Sequence, residues 1–244
     1  MAQKYALSAT QIEYLKKKRI GLVLSGGASR GFAEIGAMKV LEEYAIEPVA
    51  IAGCSVGSLI GACVAAGKSV KILEDEFLKI SPMSLLDLTL RGLGFVRSDR
   101  FVNHVLNIVE VKRFSQLKIP LYVNAVNVNT GKERTFEKGM LGPALKASIA
   151  IPGFFFPQKI GRQYYVDGGV IDPIPMHLLP PVDLIIVIDV TFARQKITDQ
   201  STPLQALKNS FTLMRQNVVD VMFKEEREKD QDIILIQPPV QVGL

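Results

Sequence analysis

The sequence predicts an α/β protein whose central sheet is mostly parallel and carries helices on both faces. Strand and helix patterns alternate along the 244 residues, beginning with strand, glycine loop, helix, strand, sharp turn and helix. Such alternation is typical of a parallel sheet covered by helices. With 48% hydrophobic and 22% charged residues, the chain can bury a large core, and we expect a single domain over 1–244.

The first elements are a polar helix and a strand that ends in a glycine loop. Residues 1–20 lack the continuous apolar core of a signal peptide, so a polar helix is expected there. Arg19 to Leu24 is the first strand, and Phe32 to Tyr44 has the apolar spacing of a helix. Pro48 to Ala52 is a second short strand, and Val56 to Ala66 is a helix built from small residues.

The uncharged segment from Pro48 to Gly67 is long enough to suggest a membrane span, but its internal pattern favours a strand followed by a helix. Its first part is β-branched and alanine-rich and ends at a glycine. In its second part, Gly57, Gly61 and Ala65 fall on one helical face. We therefore expect this helix to pack closely on the sheet.

The rest of the chain continues the alternation. Helices are expected at 71–78, 100–109, 143–150 and 204–229. Strands are expected at 121–128, 133–136, 164–166, 184–190 and 233–236. The C-terminal part, 203–238, thus contains a long amphipathic helix and a strand. Packing of this helix on its own sheet or on a second subunit is favoured over a position in a bilayer interface.

Two apolar stretches are candidates for contact with an apolar substrate. Residues 83–96 combine leucines with glycines that would break a core helix, which favours a groove or a lid. For Phe154, Phe155 and Phe156, a place in the ordinary core is favoured over an acyl-chain groove.

Charge and cysteine content exclude several classes of protein. The net charge of +5 permits attraction to anionic surfaces, but no nucleic-acid-binding motif accompanies the scattered basic residues, so no nucleic acid partner is expected. Lys16 to Arg19 is the one basic cluster, and a solvated helix explains it better than a lipid headgroup contact. Cys54 and Cys63 lie in the apolar segment without metal-ligand spacing, which predicts buried reduced thiols and suits a cytoplasmic protein.

Gly53-Cys54-Ser55-Val56-Gly57 places a serine between two glycines where the second strand meets its helix. In a nucleophile elbow the serine occupies a strained strand-to-helix turn, and the flanking glycines let neighbouring backbone pack closely. The Ser55 hydroxyl would then be exposed and able to attack a carbonyl carbon. Because this motif alone is weak support for catalysis, the context of other loops decides its meaning.

Ser25-Gly26-Gly27-Ala28-Ser29-Arg30-Gly31 follows the first strand and opens a helix, and its backbone N–H groups form a candidate anion site. A nucleotide phosphate fits poorly, because the glycine spacing matches neither the dinucleotide nor the P-loop motif. An oxyanion from acyl transfer fits better, since neighbouring strands would bring this loop and the elbow to one sheet edge. Three interpretations of Arg30 remain open: a surface side chain, a brace for the loop, and a contact to a lipid phosphate.

Asp167-Gly168-Gly169 ends a short apolar strand and supplies a candidate general base. An acid before two glycines is a common turn, so the assignment depends on the other two loops. A free aspartate with a pKa of about 3.9 is a weak base, and we expect an apolar pocket to raise that pKa. The only histidines, His104 and His177, are assigned structural or surface roles, because neither follows a late strand as a triad histidine does.

In this order the motifs resemble those of the bacterial patatin-like phospholipase family. The resemblance covers about residues 19–190 and includes the segment from Ala147 to Phe154, which resembles the one before the family's aspartate. It implies a three-layer α/β/α lipid acyl hydrolase that acts on fatty acyl esters or phospholipids without a cofactor or metal. It also implies Ser55 as the nucleophile, Asp167 as the base, and an oxyanion hole in the region of Gly26, Gly27 and Ala28.

The chain departs from the family pattern at two positions. Ala28 stands where a third glycine is usual, and Glu34 stands where many bacterial members have histidine. Two other functions remain open: an acyltransferase that uses the same serine, and a non-catalytic scaffold that binds lipid or protein. A peripheral membrane contact and a homo-oligomer are both compatible with the sequence.

Overall fold

The computed structural model describes residues 7–27, 30–79, 87–88, 96–191, 198, 201–228 and 230–239. The helices are α1 (Ala9–Lys16), α2 (Gly31–Glu43), α3 (Val56–Ala65), α4 (Val70–Leu78), α5 (Asp99–Val109), α6 (Leu141–Ser148) and α7 (Pro203–Glu228). The strands are β1 (Ile20–Leu24), β2 (Ala50–Gly53), β3 (Asp87–Leu88), β4 (Val96–Arg97), β5 (Leu121–Asn127), β6 (Glu133–Phe136), β7 (Gln158–Ile160), β8 (Gln163–Asp167), β9 (Leu184–Ile188) and β10 (Ile233–Ile236).

The main sheet has the strand order β10, β9, β1, β2, β5, β8, β7, with β6 also paired to β5. The five strands from β10 to β5 are parallel to one another. Strands β6, β7 and β8 join the sheet through antiparallel pairings. The predicted mostly parallel sheet is therefore confirmed.

The two faces of the sheet carry separate apolar cores, because successive side chains of a strand point to opposite sides. Leu22 and Leu24 of β1 lie in the larger core, together with buried side chains of α2, α3, α5 and α6. Val23 lies on the opposite face in a smaller core that includes Val219 of α7. The chain thus has the three layers that the resemblance implies, and α7 covers its own sheet as expected.

The uncharged segment forms β2 and α3, as predicted. A methyl group placed on Gly61 of α3 would lie 3.2 Å from side-chain atoms of both Ile51 and Leu121, so the helix packs closely on β2 and β5. Among the described residues, no helix combines the length and the hydropathy needed to cross a membrane. Cys54 and Cys63 are both buried and free of disulfides, as expected.

The predictions for the two apolar stretches have different outcomes. Phe154 and Phe156 are 49% and 47% exposed, so the core interpretation is wrong for them. Their turn follows α6 and precedes β7, which is the strand at the edge of the sheet. Most of residues 83–96 lie outside the described residues, and the predicted groove or lid lies there with them. The described residues of this region form β3 and β4, a short antiparallel pair.

Candidate active site

Ser55 lies at the sharp turn between β2 and α3 in a strained backbone conformation, with φ of 52° and ψ of −124°. Such a conformation is rare for a residue with a side chain and persists only where its surroundings hold it. The Ser55 N–H donates to Ser148 Oγ at 2.9 Å, and Ser58 Oγ donates to the Ser55 carbonyl oxygen at 2.6 Å. The turn is therefore fixed on both sides of Ser55 by buried hydroxyl groups.

The two glycines of the elbow are required by close backbone packing. A methyl group on Gly53 would lie 2.7 Å from the carbonyl oxygen of Gly57 and from Ser58 Cα. A methyl group on Gly57 would overlap the backbone carbonyl group of Leu24, at the end of β1. Both glycines thus allow α3 to begin directly against the sheet.

The glycine loop after β1 contacts the elbow at the carboxyl edge of the sheet. Leu24 and Gly53 are paired in the register of β1 and β2, so the loops that follow them emerge side by side. A methyl group on Gly26 would lie 3.3 Å from Ser55 Cβ. The predicted convergence of this loop with the elbow is therefore observed.

The backbone donors of this loop are not equivalent. The Gly26 N–H donates to the Pro173 carbonyl oxygen at 3.0 Å and is already used. The Gly27 carbonyl oxygen accepts from the Arg30 N–H at 3.2 Å, while no hydrogen bond of the Gly27 N–H is found within the described ranges. Ala28 lies outside the described residues, so its predicted donor role is not described either.

Asp167 ends β8 and is only 6% exposed. Its Oδ1 accepts from the Gly169 N–H at 2.7 Å. Burial raises the pKa of Asp167, while hydrogen bonds from the Ser55 side chain and the Gly169 N–H and the charge of Arg215 act to lower that pKa. The structure therefore brings Ser55 and Asp167 together in a water-poor site, and the pKa of the carboxyl group shifts in the expected direction.

Cys54 is a further neighbour of the carboxyl group. Its Sγ lies 3.8 Å from Asp167 Oδ1, and burial raises the pKa of the Cys54 thiol well above its usual value. The thiol is accordingly neutral.

Two arginines flank the glycine loop. Arg30 is 8% exposed, and its Nη1 donates to the Thr191 carbonyl oxygen at 3.1 Å. The interpretation of Arg30 as a surface side chain is wrong. The residue is buried, and its guanidinium connects the start of α2 to the segment after β9. Arg215, from α7, donates through Nη2 to the Gly26 carbonyl oxygen at 3.1 Å, and no sequence pattern indicated it.

A groove of about 1030 Å³ opens beside these arginines. Its walls come from the segment after β9, from α7 and from β10, and both Arg30 and Arg215 line it. Its volume is at the upper limit of that of small-molecule sites in proteins.

The two histidines are engaged elsewhere. His177 Nε2 lies 2.9 Å from Glu133 Oε2, and Nδ1 lies 3.0 Å from Asp172 Oδ2, which raises the pKa of His177 to about 10. His104 lies 3.4 Å from Glu76. Neither histidine has a contact with Ser55 or Asp167 in the described structure, which agrees with structural or surface roles.

Glu133, Asp172 and His177 also form a group whose ligand atoms are close enough to hold a metal ion. Each ring nitrogen of His177 faces a different carboxylate, so the imidazolium occupies the space between the two acids. The arrangement is that of an ion-pair triad rather than of ligands that converge on one point.

Glu34 of α2 is a buried carboxyl group behind the glycine loop, with no exposed surface. Burial raises its pKa well above the usual value, and the nearby charge of Asp189 raises it further, while a hydrogen bond from the Ser25 backbone acts in the opposite direction. Its buried surroundings therefore favour the protonated form of Glu34 more strongly than water does.

Comparisons with known proteins agree with this geometry. A model of the patatin-like phospholipase family matches residues 22–180. An uncharacterized NTE family protein of Mycobacterium bovis is 33% identical over 188 residues, which are 76% of this chain and 52% of the relative. Lysophospholipase NTE1 of Cryptococcus neoformans is 28% identical over 181 residues, covering 71% of this chain and 11% of the relative.

The fold has a solved counterpart in VipD of Legionella pneumophila, with a TM-score of 0.57 and 15% identity over 79% of this chain and 52% of that one. This chain spans about half the length of the mycobacterial relative, and a smaller share of the fungal one. Because the family model covers most of the chain, including the three loops of the site, the chain belongs to the patatin-like phospholipase family.

Proposed function

We propose that this chain is a serine lipid acyl hydrolase that cleaves fatty acyl esters through an acyl-Ser55 intermediate, with Asp167 as the base. The observation that supports the proposal best is the strained Ser55 turn with a buried carboxyl group beside its side chain, close enough for Ser55 to lower the pKa of that carboxyl group. Strain at a position of this kind is a recurrent property of functional sites. A buried aspartate of raised pKa is a stronger base than a free one.

In the first step the Ser55 Oγ attacks the ester carbonyl carbon while Asp167 accepts the hydroxyl proton. The carbonyl oxygen becomes an oxyanion beside the glycine loop, where the Gly27 N–H has no other acceptor in the described structure. Collapse of the tetrahedral intermediate breaks the bond to the alcohol, which leaves with the proton from Asp167. The acyl group remains on Ser55.

In the second step water replaces the alcohol. Asp167 accepts a proton from the water as its oxygen attacks the acyl carbon, and the second tetrahedral intermediate again places its oxyanion beside Gly27. Ser55 leaves with the proton, and a fatty acid is released. Ala28 is the second donor that the family resemblance implies.

The substrate class we propose is a phospholipid or a lysophospholipid. The support is the family and the name lysophospholipase carried by several relatives. Val170 and Ile171, three and four residues after Asp167, are 52% and 38% exposed, and Phe154 and Phe156 are exposed as well. We propose that these apolar side chains make peripheral contact with a lipid surface, with the protein otherwise in the cytoplasm.

Hydrolysis of a lysophospholipid by Ser55→Ala and Asp167→Asn variants tests the assignment. Both should lose at least about 1000-fold in kcat/KM, because nucleophile and base act as one unit. His177→Ala is the control and should keep its activity, since its partners are Glu133 and Asp172. Full activity in either of the first two variants would exclude the dyad.

The same assay separates hydrolysis from acyl transfer. With an alcohol or thiol acceptor added, a hydrolase releases mainly free fatty acid, whereas an acyltransferase forms the acylated acceptor. Acylated acceptor as the main product would replace our proposal by the acyltransferase. Absence of any acyl product from folded protein would favour the non-catalytic scaffold.

A further inference from the structure

Arg215 of α7 forms a hydrogen bond to the glycine loop of the candidate active site. Helix α7 begins at Pro203, outside the residues that the family model matches. The Arg215 Nη2 donates to the Gly26 carbonyl oxygen at 3.1 Å. It would also lie 3.3 Å from a methyl group placed on Gly169, in the turn after Asp167. The guanidinium therefore lies between the oxyanion loop and the aspartate turn.

The contact to Gly26 has a consequence for the next amide. The Gly26 carbonyl group and the Gly27 N–H belong to one planar trans peptide, in which they point in opposite directions. A donor that holds the carbonyl oxygen therefore also fixes the direction of the Gly27 N–H. That N–H is the described donor left for an oxyanion, because the Gly26 N–H is bonded to Pro173.

Arg215 also acts on Asp167 through its charge. Burial raises the pKa of Asp167, and the nearby guanidinium charge is among the groups that act to lower that pKa. The other groups that face the carboxylate are the Ser55 hydroxyl, the Cys54 thiol and the Gly169 N–H. Asp172 and Glu133 lie further out and act on Cys54.

We infer that Arg215 is a positioning residue of the active site, which holds the Gly26–Gly27 peptide in the orientation that stabilises the oxyanion and places a positive charge beside Asp167. The inference rests on the proposed hydrolase function. It makes α7 part of the active site, although the family model does not reach this helix.

Two substitutions separate the two effects of Arg215 when kcat/KM for a lysophospholipid is measured from about pH 5 to 9. Arg215→Gln removes the charge, so Asp167 becomes harder to ionise and the acid limb of the profile moves to higher pH. Arg215→Lys keeps a charge but loses the planar guanidinium, so the limb should stay near its wild-type position. In both variants kcat should fall by about tenfold to a hundredfold, because the Gly27 N–H is no longer held in place.

Arg162→Gln removes an exposed arginine from the turn between β7 and β8 and should leave the profile unchanged. Wild-type kcat and an unmoved acid limb in Arg215→Gln would overturn the inference while leaving the hydrolase proposal intact. An equal loss in both Arg215 variants without any movement of the limb is the behaviour of a merely structural residue and would also overturn it. Hydrolysis that survives Ser55→Ala would overturn the function and the inference together.

Discussion

Burial has different consequences for two carboxyl groups of this molecule. Asp167 is buried at the sheet edge, but Ser55, Gly169 and Arg215 all favour its ionised form. Glu34 is buried behind the glycine loop, where Asp189 adds a repulsive charge. The first carboxyl group can therefore exchange protons with a substrate, whereas the surroundings of the second favour its protonated form.

Replacing Glu34 by glutamine should stabilise the protein increasingly as the pH rises. The pKa of Glu34 in the folded state lies above its ordinary value of 4.5, so the folded chain keeps a proton that the unfolded chain releases above that pH. The stability connected with this proton is present below pH 4.5 and is lost as the pH rises. Glu34→Gln has no proton to lose, so its advantage over the wild type should grow with pH.

Urea unfolding under mildly acidic and mildly alkaline conditions measures this difference. Glu43→Gln is the matched control, because Glu43 is exposed on the same helix, and its effect on stability should be small and independent of pH. A constant difference between Glu34→Gln and the wild type at both pH values would contradict the raised pKa of Glu34.

The sequence identifies the site residues that belong to recognisable motifs. It does not identify the site residues that lie in other parts of the chain. Ser55 and Asp167 could be predicted because each is flanked by glycines at the end of a strand. Arg215 and Ser148 could not, because each contacts the site across a long stretch of chain and sits in an otherwise ordinary helix. For Ser148 the only signal was its place in the segment that resembles the family.

The junction of β1, β2 and α3 depends on close backbone packing at two glycines. Gly57→Ala should destabilise the protein by about 2 kcal/mol or more, because its methyl group would overlap the Leu24 carbonyl and force the helix off the sheet. Gly36→Ala is the matched control in α2, where a methyl group would meet nothing within 4 Å. It should stabilise the protein by about 0.5 to 1 kcal/mol, as alanine does within an exposed helix.

Urea unfolding curves of both variants give the two free energies of unfolding. Equal effects of the two substitutions would mean that the elbow is not packed as described. Retention of wild-type stability by Gly57→Ala would lead to the same conclusion.

Most elements were predicted to within a few residues, and the misses have physical reasons. Strand β7 has three residues, two of them polar, and carries no alternation long enough to recognise. The phenylalanines after α6 look like core in sequence, yet a turn at the sheet edge leaves two of them exposed. The local sequence pattern specifies whether a segment is a helix or a strand, whereas the burial of its side chains depends on which other elements pack against it.

At the scale of the whole molecule, strand order decides which loops meet. The sequence indicated that β1 and β2 are neighbours, and their parallel register brings the glycine loop beside the elbow. The insertion of β9 between β1 and β10 was not predictable, because nothing local specifies which distant strands pair. That pairing places α7 on the second face of the sheet, where Arg215 lies beside the glycine loop.

Covalent capture by an active-site-directed organophosphonate tests the central claim most directly. The reagent phosphonylates a serine only where a base and an oxyanion site activate its hydroxyl. Intact mass should show one adduct on the wild type, peptide mapping should place it on Ser55, and Ser55→Ala should show none. Folded wild-type protein that remains unmodified, or that carries its adduct on another residue, would contradict the account.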